Sequence, residues 1–345
     1  MTRILAIGIP NNGVHYHRLH LPLSKMPDVY VLFTDFINDE VLQRGFDVVL
    51  CNRFIPNCSA LDLENYKMKY CFKLIVDIDD YWNLDPWHIL YRQYPSLEII
   101  NYIRLADVVT VTHDRLERQV KVYNENVEIL PNALPYGDDQ FGLNKVSIAE
   151  SGVDIPKDSL RVLYAGGVTH EKDLNIIANP WKRIASDKVL KDKLSFILAG
   201  YDDSNPNVAG IWHRMISNYL CGFKLNGYVR QPLPPDKYMA FYAEADICIA
   251  PLVQSRFNSM KSNLKTLEAA AFKLPILVSN VYPYIESGGI KIECQSDWFR
   301  YLKLLSKSKE AREDYGNFNF EYSRNYHNFE SINTKRKHIY EQRTS

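Results

Sequence analysis

Twelve short runs rich in β-branched residues recur along the chain, each followed by a segment of helical or loop character. The first six are RILAIGI, VYVLF, FDVVLC, KLIVDID, DVVTVT and VEIL. The second six are LRVLYAGG, LSFILAG, FKLNGYV, ADICIAPLV, LPILVSN and IKIEC. This alternation constrains the fold more than any other feature, because it favours parallel strands joined by crossover helices over a sandwich. Between the two sets lies a polar, turn-rich break, PNALPYGDDQFGLNKVSIAESGVDIPKDS, from Pro131 to Ser159. The expectation is an α/β protein with a first doubly wound domain over 1–135, a linker over 136–159, a second doubly wound domain over 160–310 and a helical tail over 311–345. Two such domains facing each other would hold a large ligand in the cleft at the carboxyl ends of their sheets.

Size and charge agree with this division. A chain of 345 residues with 46% hydrophobic content exceeds the size at which a single core stops growing. Its 41 basic and 41 acidic residues cancel, so nothing draws the whole molecule to nucleic acid or to an anionic membrane, and any anion site must be local. The six cysteines form no C-x-x-C pair, and Cys51 and Cys248 lie in apolar runs, which points to free thiols and a reducing compartment. The N-terminal residues carry no signal-peptide pattern and no stretch reaches 18 apolar residues. A cytoplasmic protein is expected, with peripheral contact at the inner membrane face left open.

Chemistry concentrates in MKSNLKTLEAAAFKLPILVSN, Met260 to Asn280, read as a helix leading into a buried strand. Lys261, Lys265 and Glu268 stand at i, i+4 and i+7, on one face of such a helix. Asn258 or Ser259 would cap it, leaving the amides of Lys261, Ser262, Asn263 and Leu264 to bind an anion at the positive end of the dipole. Lysines at a helix start oppose the macrodipole, so a bound polyanion explains them better than helix stability does. Lys261 and Lys265 would flank a diphosphate, and Glu268 would accept from two vicinal hydroxyls. The plain alternative is a solvent-facing helix with a Lys265 to Glu268 pair.

The segment LEAAAFKLPILVS, Leu267 to Ser279, resembles the EAMAxGxPVV motif of the retaining GT-B glycosyltransferases, the group 1 or family 4-like transferases. LRVLYAGGVTHEKDLNII resembles the strand and glycine loop opening that group's second domain. LNGYVRQPLPPDKYMAFYAEADICIAPL resembles its base-contacting loop, and RLADVVTVTHDRLERQVKVYNENVEILPNAL its segment before the linker. These matches keep the family's order across most of residues 100 to 285. The resemblance implies two Rossmann-like domains, an N-terminal one for the acceptor and a C-terminal one for the nucleotide sugar. The family's second glutamate, eight residues before Glu268, is replaced by Met260, which leaves the donor sugar's contacts open.

Further site residues follow. Gly167 ends a strand, and His170 and Lys172 stand at the next helix start, where Lys172 would add charge at the leaving group. Tyr228, in NGYVR, would lie near the base. Gly13 resembles the family's N-domain loop facing the donor, and Arg18 on the following helix would reach the acceptor, while His15 and His17 read as helix-surface residues. In LIVDIDDYW, Asp79 or Asp80 would orient the acceptor hydroxyl or take its proton. That stretch also contains D-x-D, the divalent-metal signature of GT-A enzymes. In the GT-B reading lysines and the helix dipole replace the metal, so no metal and no cofactor beyond the donor are expected. Trp87 to Arg104 mixes aromatic and basic residues, most simply as core packing.

The expected activity is transfer of a hexosyl group from a nucleotide-diphosphate sugar, UDP- or GDP-linked, to an acceptor hydroxyl. Asp79, Asp80 and Lys265 would be catalytic, the anomeric configuration would be retained, and the acceptor would be a saccharide or lipid-linked glycan in surface polysaccharide biosynthesis. The rivals are an epimerase or hydrolase on the same fold, a non-catalytic sugar-nucleotide-binding protein, and a transferase acting on a modified nucleic-acid base. The neutral charge weighs against nucleic acid. Neither half shows G-x-G-x-x-G after a strand, which disfavours a nicotinamide oxidoreductase.

Overall fold

The alternation of buried runs and crossover segments builds two parallel sheets. The computed structural model describes residues 1–142, 155–156, 158–202, 204, 206–220, 222 and 224–342. Residues 143–154 and 157 of the expected linker, Cys221 and the last three residues of the tail lie outside the described residues. The first sheet contains β1 (Thr2–Ile7), β2 (Val29–Thr34), β3 (Val48–Asn52), β4 (Lys73–Ile78), β5 (Val108–Val111) and β6 (Val127–Ile129), in the order β2-β1-β3-β4-β5-β6. The second contains β7 (Leu160–Ala165), β8 (Leu194–Ala199), β9 (Asn226–Arg230), β10 (Ile247–Ala250), β11 (Ile276–Ser279) and β12 (Ile290–Ile292), in the order β12-β11-β10-β7-β8-β9. Every expected strand-like run overlaps one of these strands, and each pairing between neighbours is parallel.

Each sheet has the strand order of an open doubly wound fold, with its direction of winding reversing once. The reversal falls between β1 and β3 in the first sheet and between β7 and β10 in the second. Ligands of such sheets bind outside the carboxyl ends of the strands at that reversal. The central strands β3, β4, β8, β10 and β11 are buried along their whole length, as strands covered on both faces must be.

The chain forms two compact units. One comprises Met1–Ala133, Met260–Ser262 and Phe329–Ser345, the other Leu134–Ser259 and Asn263–Asn328. The tail divides accordingly, with helix Lys309–Tyr326 in the second unit and helix Phe329–Glu341 in the first. Ile339 and Tyr340 of the latter join the apolar cluster of Ile4, Leu19, Leu50 and Ile75. Lys73, at the start of β4, donates to the carbonyls of Ile339 and Gln342 at 2.7 and 2.8 Å and so caps the end of that helix. The described cysteines Cys51, Cys58, Cys71, Cys248 and Cys294 are free thiols.

Candidate functional site

In the second unit the candidate residues gather at the carboxyl end of β7, beside the reversal of winding. Lys265 lies 100 positions along the chain from Ala165, yet its ammonium donates to the Ala165 carbonyl and stands 5.1 Å from the centroid of the Tyr164 ring. Gly166 makes this approach geometrically feasible. A Cβ there would come within 2.9 Å of Lys265 Nζ and 2.8 Å of the Tyr164 hydroxyl. At Gly167 a Cβ would meet nothing within 4 Å, so that glycine borders open space.

After the glycine pair a short turn, Val168–His170, leads into helix Glu171–Asn175. His170 Nδ1 lies 2.6 Å from Asp173 Oδ2, and Asp173, which is buried, also accepts from the Val253 amide at 2.8 Å and from Asn258 Nδ2 at 3.2 Å. Asp173 thereby fixes the ring of His170 against the loop after β10. Lys172 is exposed on the same short helix, and Tyr228 lies half-buried in the edge strand β9, paired with Ile197.

The helix that carries Lys265 begins later than the sequence suggests. It runs Leu264–Ala271 with Asn263 at its N-cap, whereas Asn258–Met260 forms a separate single turn. Asn258 stands six positions before Leu264 and cannot cap this helix, and its amide nitrogen donates to Asp173 and to the Val253 carbonyl. Met260–Ser262 belongs to the first unit, where the Met260 carbonyl lies 3.0 Å from His113 Nε2 and Ser262 accepts from Asn132 at 2.8 Å. The expected row of three charges on one helix is therefore broken: Lys265 and Glu268 remain on the helix, and Lys261 does not. Asn263 turns its side chain to His327, at 3.0 Å.

Glu268 is buried, and its two carboxylate oxygens accept from the hydroxyls of Tyr238 and Tyr242. Burial raises its pKa, and the two tyrosines with Lys265 offset only part of that rise. These tyrosines lie in PPDKYMAFYAEADI, where their spacing of four reads as ordinary helix packing, so the sequence carries no signal of their partner.

In the first unit the acidic residues gather at the end of β4. The register pairs Asn52 with Asp77, and Asn52 Nδ2 donates to Asp77 Oδ2 at 3.0 Å and to Asp79 Oδ1 at 3.1 Å. Arg53 grips Asp79 through Nε at 2.9 Å and through its second nitrogen at 2.8 Å, and also reaches Tyr94 at 2.8 Å and Asp80 at 3.3 Å. Asp79 is buried, which by itself would raise its pKa, but the Arg53 charge and hydrogen bonds from Arg53 and Asn52 bring it below the ordinary value. Asp80 is the more accessible of the two acids and lies 4.0 Å from Lys261 Nζ. Sequence reasoning missed Arg53. Its signal is its place directly after β3 with a left-handed backbone, φ 63°, which only the fold reveals.

Two expectations for the first unit are corrected. Arg18 does not reach out toward an acceptor. It is 2% exposed, pairs with both oxygens of Asp77 at 2.6 and 3.0 Å, and donates to Leu130 and Asn132. His17 is likewise buried, and burial with the neighbouring Arg18 charge pushes its pKa down to about 3. Both residues lie in a π-helical turn, Tyr16–His20, in which His17, Arg18 and Leu19 are all buried. Gly13 opens this helical run, is exposed, and follows Asn12, whose side chain accepts from the amides of Val14 and His15 at 2.9 and 3.2 Å.

Both sheets place polar residues where doubly wound folds bind ligands, and solved structures share this architecture. Sucrose-phosphate synthase from Thermosynechococcus elongatus superposes with a TM-score of 0.70 at 14% identity, over 99% of this chain and 98% of that one. HepE from Anabaena in complex with UDP and glucose gives 0.65 at 11% identity over 98% and 99%. An α,α-trehalose-phosphate synthase (UDP-forming) from Burkholderia vietnamiensis gives 0.58 at 13% identity over 85% and 71%. The fold is GT-B. Residues 159–296 match the model of the family described as glycosyl transferases group 1, so the second unit carries a domain of that family and the chain is a glycosyltransferase. Among curated proteins no sequence matches the chain. Among the described residues no helix is long and apolar enough to cross a membrane.

Proposed function

We propose that this glycosyltransferase moves a hexosyl group from a nucleotide-diphosphate sugar to an acceptor hydroxyl, retaining the anomeric configuration and using no metal. The observation that carries the reading is the convergence of Lys265 with the Gly166–Gly167 loop at the reversal point of the second sheet. Charge builds on the diphosphate as the glycosidic bond breaks, and a pre-placed cation beside backbone amides lowers the energy of that charge.

In this reading Lys265 and Asn263 attend the diphosphate, with Lys172 adding charge at its edge. Gly167 and His170 border the donor, Tyr228 stands toward the base, and Glu268 takes the ribose hydroxyls. A carboxylate offers about four acceptor positions, so the two tyrosines leave it capacity for a diol. Asp80 orients the acceptor hydroxyl. Asp79, clamped by Arg53 with its pKa lowered, is a poor base and acts as the anchor of that cluster. Retention rests on the family resemblance, in which the acceptor attacks from the face the diphosphate leaves and a phosphate oxygen helps take the proton. The pairing of both D-x-D carboxylates with arginines, Asp77 with Arg18 and Asp79 with Arg53, supports a catalytic charge balance supplied by side chains.

HepE is complexed with UDP and glucose and the Burkholderia synthase is UDP-forming, which favours UDP over GDP as the carrier. A saccharide or lipid-linked glycan of surface polysaccharide assembly, met in the cytoplasm, is the acceptor we favour. The test is thermal unfolding of the full chain with UDP, GDP, ADP and their common sugar conjugates, each with EDTA and with magnesium or manganese. A ligand at 100 times its Kd adds about 2.7 kcal/mol, well within detection. Selective stabilisation by UDP or its conjugates that persists in EDTA is expected. Stabilisation only with metal would overturn the metal-free reading, and none with any nucleotide would overturn the donor site.

A further inference from the structure

Tyr164 stands next to last in β7 and is 4% exposed, and its hydroxyl has no hydrogen-bond partner among the described residues. Its ring packs in the apolar cluster with Leu174, Trp181 and Phe196, where a phenylalanine would fill the same space without leaving a buried donor unmet. The hydroxyl is aimed at the glycine loop. A Cβ on Gly166 would lie 2.8 Å from it and 2.9 Å from Lys265 Nζ, so one neutral donor and one cation lie close together against the bare Cα of Gly166. Burial, with the nearby Asp173 and Tyr284, pushes the phenol pKa well up, so the hydroxyl keeps its proton and acts as a donor.

We propose that the Tyr164 hydroxyl is a further donor-substrate contact, giving its hydrogen bond to a phosphate oxygen of the bound nucleoside diphosphate beside Lys265. This rests on the nucleotide-sugar reading above. It extends that site from the loop and the helix to the strand itself, and it explains why a polar atom is left unmet in an apolar layer: its partner arrives with the substrate.

Tyr164→Phe removes the hydroxyl and keeps the ring. UDP, GDP and ADP are titrated separately into wild type and variant by calorimetry, and the unliganded proteins are melted in parallel. The nucleotide that binds wild type should bind the variant about 10- to 100-fold more weakly, as for losing a hydrogen bond to a charged group. The unliganded variant should melt no lower than wild type. A structural tyrosine behaves the other way, with a lowered midpoint and unchanged affinity, and that result overturns the proposal. If Tyr164→Phe does not fold, Gly166→Ala keeps the hydroxyl but fills the space before it, and wild-type affinity in that variant overturns the proposal equally. Wild type that binds none of the three nucleotides would instead refute the nucleotide-sugar reading on which the proposal stands.

Discussion

At the end of β4 both buried carboxylates face arginines, Asp77 with Arg18 and Asp79 with Arg53. At the end of β7 the charges are held differently: Lys265 donates to a backbone carbonyl, and Glu268 is buried against two tyrosine hydroxyls. The first arrangement neutralises its charges internally and fixes its geometry before any ligand arrives. The second holds charge with neutral partners, which a phosphate can outcompete at Lys265 because it adds a full opposite charge to the hydrogen bond. The contrast separates a cluster built for rigidity from one built to exchange partners.

The largest effect should come from breaking the rigid cluster. Arg18→Ala leaves Asp77 buried without its counter-ion and should lower stability by about 3–5 kcal/mol, read from the urea midpoint. A loss below about 1 kcal/mol, the range of an exposed pair, would remove the contrast. Next comes Lys265→Ala, which should slow turnover by about 10²- to 10³-fold while the urea midpoint stays close to wild type. Lys172→Ala, which removes an exposed and screened charge, should cost less than about tenfold in the same assay. Equal losses in the two lysine variants would mean that Lys265 holds no special place.

The smallest effect, and the sharpest in sign, is the response to pH. Asp79 has a folded pKa below its ordinary 3.8, so its contribution to stability is present above that value and is lost as pH falls through the folded one. Glu268 has a folded pKa above its ordinary 4.5, so its contribution is complete below that value and is lost as pH rises through the folded one. Urea midpoints at about pH 7 and about pH 2.5 should therefore show Asp79→Asn less sensitive to acid than wild type and Glu268→Gln more sensitive. Shifts of the same sign in both variants would contradict the opposite pKa shifts of the two groups.

The strands were legible because their signal is local. RVLYA or DVVTV has the length, the β-branched content and the flanking turns of a buried parallel strand, whatever lies elsewhere in the chain. The glycine pair after β7 and the lysine of LKTLEAAA were also visible as candidates, each as a short motif. The start of the Leu264–Ala271 helix was not legible. Asn258 looks like a cap in sequence, and its capture by Asp173, 85 positions away, is a tertiary event. Arg18 is buried within a π-helical turn that no propensity marks.

By itself the sequence determined the doubly wound architecture, the two sheets and the residue types available at their carboxyl ends, because hydrophobic period and turn chemistry act over a few neighbouring residues. Only the tertiary structure decided which charge meets which. It placed Lys265 at Ala165, split Lys261 from the helix it seemed to begin, and gave Arg18 to Asp77 and Glu268 to two tyrosines. The physical reason is that a buried polar group takes its partner from whatever the packed fold brings within about 3 Å, and that distance has no counterpart along the chain.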